Sequence, residues 1–169
     1  MELLEHIEVR MKKFLFLILI AIMFAPVTFA QSQTGRAQTR KSAAEFPDLV
    51  RRYYDAWNSG DLDKAGAFYA KDADLIFYDV TPLEYHGWSQ YKAGVQKLLA
   101  AYSSLKLVPN SDLKSGRQGK IAWTTLTFHL VGTTKAGAKS DTVCRHTAIW
   151  EKRKGEWLVI HEHVSAPLP

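Results

Sequence analysis

The chain has 169 residues, which fits one domain plus a leader. Hydrophobic residues make up 47% and the formal net charge is +5, so disorder of the whole chain is excluded and the charge excess is mild. Several Lys and Arg residues fall between Arg10 and Lys41, and no basic run in the rest of the chain is interleaved with stacking aromatics, so no nucleic-acid partner is expected.

The N-terminal segment reads as a secretory signal peptide over residues 1–30. Lys12 and Lys13 precede an apolar run from Phe14 to Ala25, and Thr28-Phe29-Ala30 forms a small-x-small cleavage pattern. Met11 reads as the true start, because the preceding MELLEHIEVR is out of character for a leader. The apolar run is short for a spanning helix and Pro26 follows it, which favours cleavage after Ala30 over an uncleaved anchor. The expected location is periplasmic or secreted, with no membrane attachment after cleavage. Residues 31–44 are rich in Gln, Ser, Thr, Arg and Lys and read as a disordered linker.

From Glu45 onward the chain reads as one domain, residues 45–169. Phe46, Leu49, Val50, Tyr53, Tyr54 and Trp57 recur at helical spacing, predicting a helix from Glu45 to Asn58. Ser59-Gly60 ends it, and Asp61 caps a second helix, LDKAGAFYA. Asp74 to Val80 reads as a strand, and after a loop with Pro82 and Gly87 a third helix runs from Trp88 to Tyr102. Four strands are expected next, over Leu105–Leu113, Lys120–Gly132, Asp141–Lys152 and Glu156–Ser165, punctuated by glycines. Three N-terminal helices beside a mainly antiparallel sheet define an α+β fold. The single Cys144 forms no internal disulfide and, in an apolar strand, reads as a core residue before a catalytic thiol.

Three stretches carry a family resemblance: YYDAWNSGDLDKAGAFYAKDADL, IAWTTLTFHL and GEWLVIHEHVSAP. Taken in this order, the chain resembles the nuclear transport factor 2-like superfamily, in its SnoaL-like and ketosteroid isomerase-related branches, and is similar to the association domain of calcium/calmodulin-dependent kinase II. The resemblance covers roughly Phe46 to Pro167. It implies a cone-shaped fold whose helices and curved sheet enclose a pocket, and a homodimer made by the back of the sheet. The fold hosts isomerases, dehydratases, hydrolases, binding proteins and assembly hubs, so it does not settle function.

Against the steroid isomerases, Tyr53 sits where the family tyrosine does, the base position falls on Phe77, and Thr147 falls where the second acid would be. Asp79, two residues beyond Phe77, is the substitute base, unless it only caps a turn at the strand end. Arg145 and Thr147 share a strand face; Arg145 either points into the pocket, where Glu162 is its natural partner, or lies at a sheet edge or dimer face. Thr125 occupies the place of a pocket arginine in the association domains. Trp123, Thr125, Thr127 and His129 share a face that is either a wet cavity wall or solvated, with Trp57, Tyr53 and Trp123 as apolar wall. The loop residue His86 has the place of a lid but is more simply exposed.

In the last strand, alternation groups His161, His163 and Ser165 with Trp157 and Val159, and Glu162 with Leu158, Ile160 and Val164. A one-residue slip or bulge swaps the faces, so either set can face the pocket. Two alternate histidines without a third ligand do not make a zinc site, and Ser165 lacks a nucleophile elbow; no metal and no cofactor are expected. The expected catalytic set is Asp79, Tyr53 and His163, and the expected ligand-binding set is Trp57, Trp123, Thr125, His129, Arg145, Thr147 and Glu162. The expected function is binding of a small, largely apolar molecule, with cofactor-free turnover as an isomerase, lyase or hydrolase. The alternative is a non-catalytic association module.

Overall fold

The computed structural model describes residues 45–167; the expected leader and linker lie outside the described residues. Helix α1 spans residues 45–58 and buries the stripe that the sequence predicts: Phe46, Leu49, Val50, Tyr53 and Tyr54 are all at most 5% exposed. Each such side chain contributes about 1.5–3 kcal/mol on burial, so tertiary packing rather than propensity holds this helix. Asn58 ties its end to the sheet through paired 2.8 Å hydrogen bonds, donating Nδ2–H to the Leu107 carbonyl and accepting from the Leu107 N–H.

Helix α2 (Leu62–Gly66) is capped as expected, with the Asp61 carboxylate accepting from the N–H groups of Asp63 and Lys64. It stops short of the predicted Ala70, because Tyr69 and Ala70 are drawn to the last strand: the Ala70 N–H donates to the Val159 carbonyl. Strand β1 (Ile76–Tyr78) pairs with the two-residue β2 (Tyr85–His86), and helix α3 (Gly87–Leu99) follows. Gly87 enters that helix at φ 64°, a conformation that favours glycine. The sheet continues through β3 (Tyr102–Pro109), β4 (Lys114–Gln118), β5 (Ile121–Thr134), β6 (Lys139–Arg153) and β7 (Glu156–Ser165).

The strand order is β2-β1-β7-β6-β5-β3, with β4 also paired to β5. All pairs are antiparallel except β1 with β7, where Phe77 stands opposite Glu162. The curved sheet is not closed: β2 is one edge, and β3 and β4 share the other along β5. The expected α+β class and mainly antiparallel sheet are what the structure has. β2 and β4 were not legible, since Tyr85–His86 is too short for a pattern and Lys114–Gln118 has no apolar alternation.

Along β5 and β6 the even-numbered residues point inward. Ala122, Thr124, Leu126, Phe128, Cys144, His146, Ala148 and Trp150 are buried, and their odd-numbered neighbours form the outer face. Trp150 satisfies its indole N–H by donating to Thr124 Oγ1 at 2.9 Å. Cys144 is a buried free thiol within this packed row, raised in pKa by burial and then by the charge of Asp79.

Candidate functional site

The last strand breaks its alternation. Trp150 pairs with Val159 and Ile149 with His161, so Ile160 is an extra, unpaired residue and a β-bulge. Trp157 and Val159 are buried before the bulge and Glu162 after it. Strict alternation therefore groups the wrong residues: the inward set is Trp157, Val159, Glu162 and Val164. His163 is exposed on the outer face beside Tyr78, and His161 Nδ1 lies 2.8 Å from the Ile76 carbonyl, bracing β7 to β1.

Glu162 is entirely buried, and its Oε2 is the hub of a hydrogen-bonded cluster. The hydroxyls of Tyr53 and Tyr69 each donate to it at 2.7 Å, and these two oxygens are themselves 2.7 Å apart. His146 Nε2 stands 3.5 Å from the same oxygen, and its Nδ1 lies 3.0 Å from the Tyr54 hydroxyl. A carboxylate neighbour favours a proton on Nε2, because a bare nitrogen lone pair there would face negative charge. The Tyr91 hydroxyl faces both Glu162 and Asp79.

Tyr53, Tyr54, Tyr91, His146 and Glu162, though not Tyr69, meet at the deep end of a cavity of about 370 Å3. Val95, Leu98 and Leu99 from α3, with Leu105, Leu107 and Leu130 from the sheet, form much of its wall. Tyr53, Trp57, Asp79 and Glu162, four residues singled out from the sequence, line it together. Asp79 reaches it because Phe77 points inward from β1 and Asp79 lies two residues further on that face.

Electrostatics separate the two carboxylates. Burial raises the pKa of Asp79 to about 6, with the nearby charge of Glu162 adding to the rise against hydrogen bonds from the Val80 N–H and Tyr91. Burial also opposes ionisation of Glu162, but His146, Tyr91 and Tyr69 outweigh it and hold its pKa below the ordinary carboxylate value. Tyr53, Tyr69 and Tyr91 are pushed well above the ordinary phenol value by burial first and by Glu162 second, so they stay protonated as donors.

The remaining sequence expectations fall elsewhere. Trp123, Thr125, His129, Arg145, Thr147 and His163 lie on the outer face of the sheet, away from the cavity. His129 pairs there with Asp141 at 2.7 Å, and Trp123 lies over Gly116 of β4. Arg145 stands opposite Thr127 and Ser165 and does not meet Glu162, whose partner is His146. The reason is common to β5 and β6: alternation separates two faces but does not say which is inner. Sequence reasoning missed His146, Tyr54, Tyr69 and Tyr91. For His146 a signal existed, a single polar ring in the row Cys144, Ala148, Trp150; the tyrosines read as core aromatics, which they also are. Among the described residues no group of three or more His, Cys, Asp or Glu is placed to hold a metal ion, and no helix is long and apolar enough to cross a membrane.

The open, curved sheet with its helices around the Glu162 cavity has the cone-shaped fold of nuclear transport factor 2-like proteins. Residues 50–160 match the model of the SnoaL-like domain, and the chain belongs to that family. Among solved structures it is similar to a nuclear transport factor 2-like protein from Salmonella enterica serovar Typhimurium (TM-score 0.68, 18% identity, 75% of this chain and 91% of that one). It is also similar to a candidate calcium/calmodulin-dependent protein kinase II association domain from Xanthomonas campestris (TM-score 0.62, 26% identity, 73% and 86%). A third is a candidate dehydratase of the same fold from Streptomyces avermitilis (TM-score 0.67, 13% identity, 77% and 99%). No curated protein matches the chain.

Proposed function

We propose that this is an exported, cofactor-free acid–base protein that binds and turns over a small, largely apolar molecule. One observation carries the reading: a carboxyl with a pKa of about 6, Asp79, meets a buried Glu162–His146–tyrosine cluster in a mostly apolar cavity whose further polar lining is Asn58, Ser59, Ser103 and Ser104. A cavity of about 370 Å3 is within the usual range for small-molecule sites. Asp79 is the group that accepts a proton from the bound molecule and returns it, because its affinity for protons is matched to neutral pH. Tyr53, with Tyr69, holds Glu162 in its ionised form, and the cluster balances charge that develops during proton transfer. The reaction class is isomerase, lyase or hydrolase; one structural neighbour described as a candidate dehydratase is compatible with the lyase. Export rests on the leader pattern of residues 11–30.

Native mass spectrometry of protein purified from its own host tests binding. The expected spectrum holds a non-covalent small-molecule mass that disappears when Leu107→Trp fills the cavity. Wild-type protein showing only its own chain mass, with no bound species, would count against the proposal.

A second reading, assembly through the back of the sheet, is favoured by exposed Trp123, Val131 and Val143 on that face, with 39–47% of each accessible. A homodimer would cover them, and the likeness to an association domain points the same way. Size-exclusion chromatography with light scattering is expected to give a dimer; a strict monomer at micromolar concentration removes this reading.

A further inference from the structure

Among the described residues three buried side-chain polar atoms lack a hydrogen-bond partner: Trp57 Nε1, His146 Nε2 and Glu162 Oε1. All three residues line the cavity of about 370 Å3, and because the three atoms have almost no accessible surface in this arrangement, a ligand meets them by displacing the side chains around them. Buried polar atoms are rarely left unmade, and three gathered on one concavity point to a ligand that completes them. Their chemistry is specific. Glu162 Oε1 is an acceptor, since Oε2 already takes the two tyrosine hydroxyls. The Trp57 indole nitrogen is only ever a donor, and the carboxylate beside His146 favours a proton on Nε2, making it a second donor.

We infer that the deep end of the cavity is a hydroxyl-recognition subsite, and that the ligand is a neutral, apolar alcohol or phenol. Its hydroxyl donates to Glu162 Oε1 and accepts from His146 Nε2, so that one group satisfies both orphaned atoms. A second ligand oxygen, where present, accepts from the Trp57 indole. An amine could serve Glu162 but would leave the His146 and Trp57 N–H groups facing another donor. A carboxylate could serve the two N–H groups but would bring a third negative charge beside Glu162 and Asp79. The aliphatic wall around the cavity takes the rest of the molecule. A site built to hydrogen-bond a hydroxyl rejects an analogue without it, because its own buried groups are then stranded.

This inference rests on the proposed small-molecule pocket, and a matched set of probes separates the two. Calorimetric titration of the wild-type protein at pH 7.5 would use 2-naphthol, 2-methoxynaphthalene, 2-naphthoate and 2-naphthylmethylammonium, which share one ring system. 2-Naphthol is expected to bind at least about tenfold more tightly than its methyl ether and than either ion, the cost of stranding a buried polar group. Glu162→Gln, which turns part of the carboxylate into a donor, is expected to shrink that preference, as is His146→Phe; the probe series on wild type decides the matter if either variant fails to fold. Equal binding of naphthol and ether overturns the hydroxyl subsite and leaves the apolar pocket standing. Tightest binding by the ammonium ion overturns it in favour of a cation site. Binding by none of the four overturns both the subsite and the pocket.

Discussion

His146 Nε2 lies 3.5 Å from Glu162 Oε2 with both side chains sealed from bulk water, their exposures 3% and 0%. Neither residue is held by its own strand alone: β6 supplies one and β7 the other, and the pairing of His146 with Val164 and Ala148 with Glu162 fixes their separation. Glu162 is thus the centre of a polar cluster in an aromatic core, where Tyr53 stacks on His146 at 5.6 Å between ring centres. Removing one member of a buried charged cluster costs more than the cluster contributes, because the others are stranded. Glu162→Ala is expected to destabilise the fold by about 3–5 kcal/mol in denaturant unfolding, with Glu162→Gln costing less. A loss below about 1 kcal/mol for the alanine variant would mean the cluster is not organised around this carboxylate.

The two tyrosines act as a pair. Tyr53→Phe and Tyr69→Phe each remove a hydrogen bond to a buried carboxylate, worth about 1.5–3 kcal/mol. Since both hydroxyls share Glu162 Oε2 and touch each other, the double variant is expected to depart from additivity by about 0.5 kcal/mol or more. Chemical denaturation of the four proteins completes the cycle. Strict additivity would show that the hydroxyls do not share one acceptor.

Asp79 gives the stability a pH signature of unusual sign. Its folded pKa of about 6 lies above the ordinary value of 3.8, so between these values the folded protein keeps a proton that the unfolded chain releases. Wild-type stability, measured relative to Asp79→Asn, is therefore expected to fall as pH rises from about 4 to about 6, and to stay level above that. A difference that rises across the same window would place Asp79 in an ion pair instead.

Gly94 in α3 tests the packing behind the site. A methyl group there would lie 2.2 Å from Tyr85 Cε1 and 2.4 Å from its hydroxyl oxygen. Alanine favours a helix interior over glycine by about 0.8–1.0 kcal/mol, whereas overpacking costs about 1–3 kcal/mol. Gly94→Ala is therefore expected to lower the melting temperature despite the better helix former. A rise would mean that Tyr85 swings away freely.

Much of this architecture was legible because burial follows period. The α1 stripe from Phe46 to Trp57, the Asp61 cap and the span of β7 are where the sequence puts them. The site was half legible for a definite reason. Tyr53 and Asp79 follow from the resemblance to the steroid isomerases and Trp57 from its reading as an apolar wall residue, while Glu162 is one of two alternatives. Choosing between them required the bulge at Ile160, which inserts one residue into a pattern with no Gly or Pro to mark it. Taking Arg145 and Thr147 over His146 reverses the inner and outer faces of β6, a one-residue parity that only the packing of α1 against the sheet decides. The outer-face set Trp123, Thr125 and His129 follows from the same reversal in β5.

The central claim is that Asp79 is a proton-exchanging group in a ligand cavity. NMR titration of protein carrying 13C-labelled aspartate, assigned with Asp79→Asn, measures this directly. The account predicts a midpoint for Asp79 near pH 6 that moves when 2-naphthol fills the cavity. A midpoint near the ordinary 3.8, unmoved by the ligand, would contradict it.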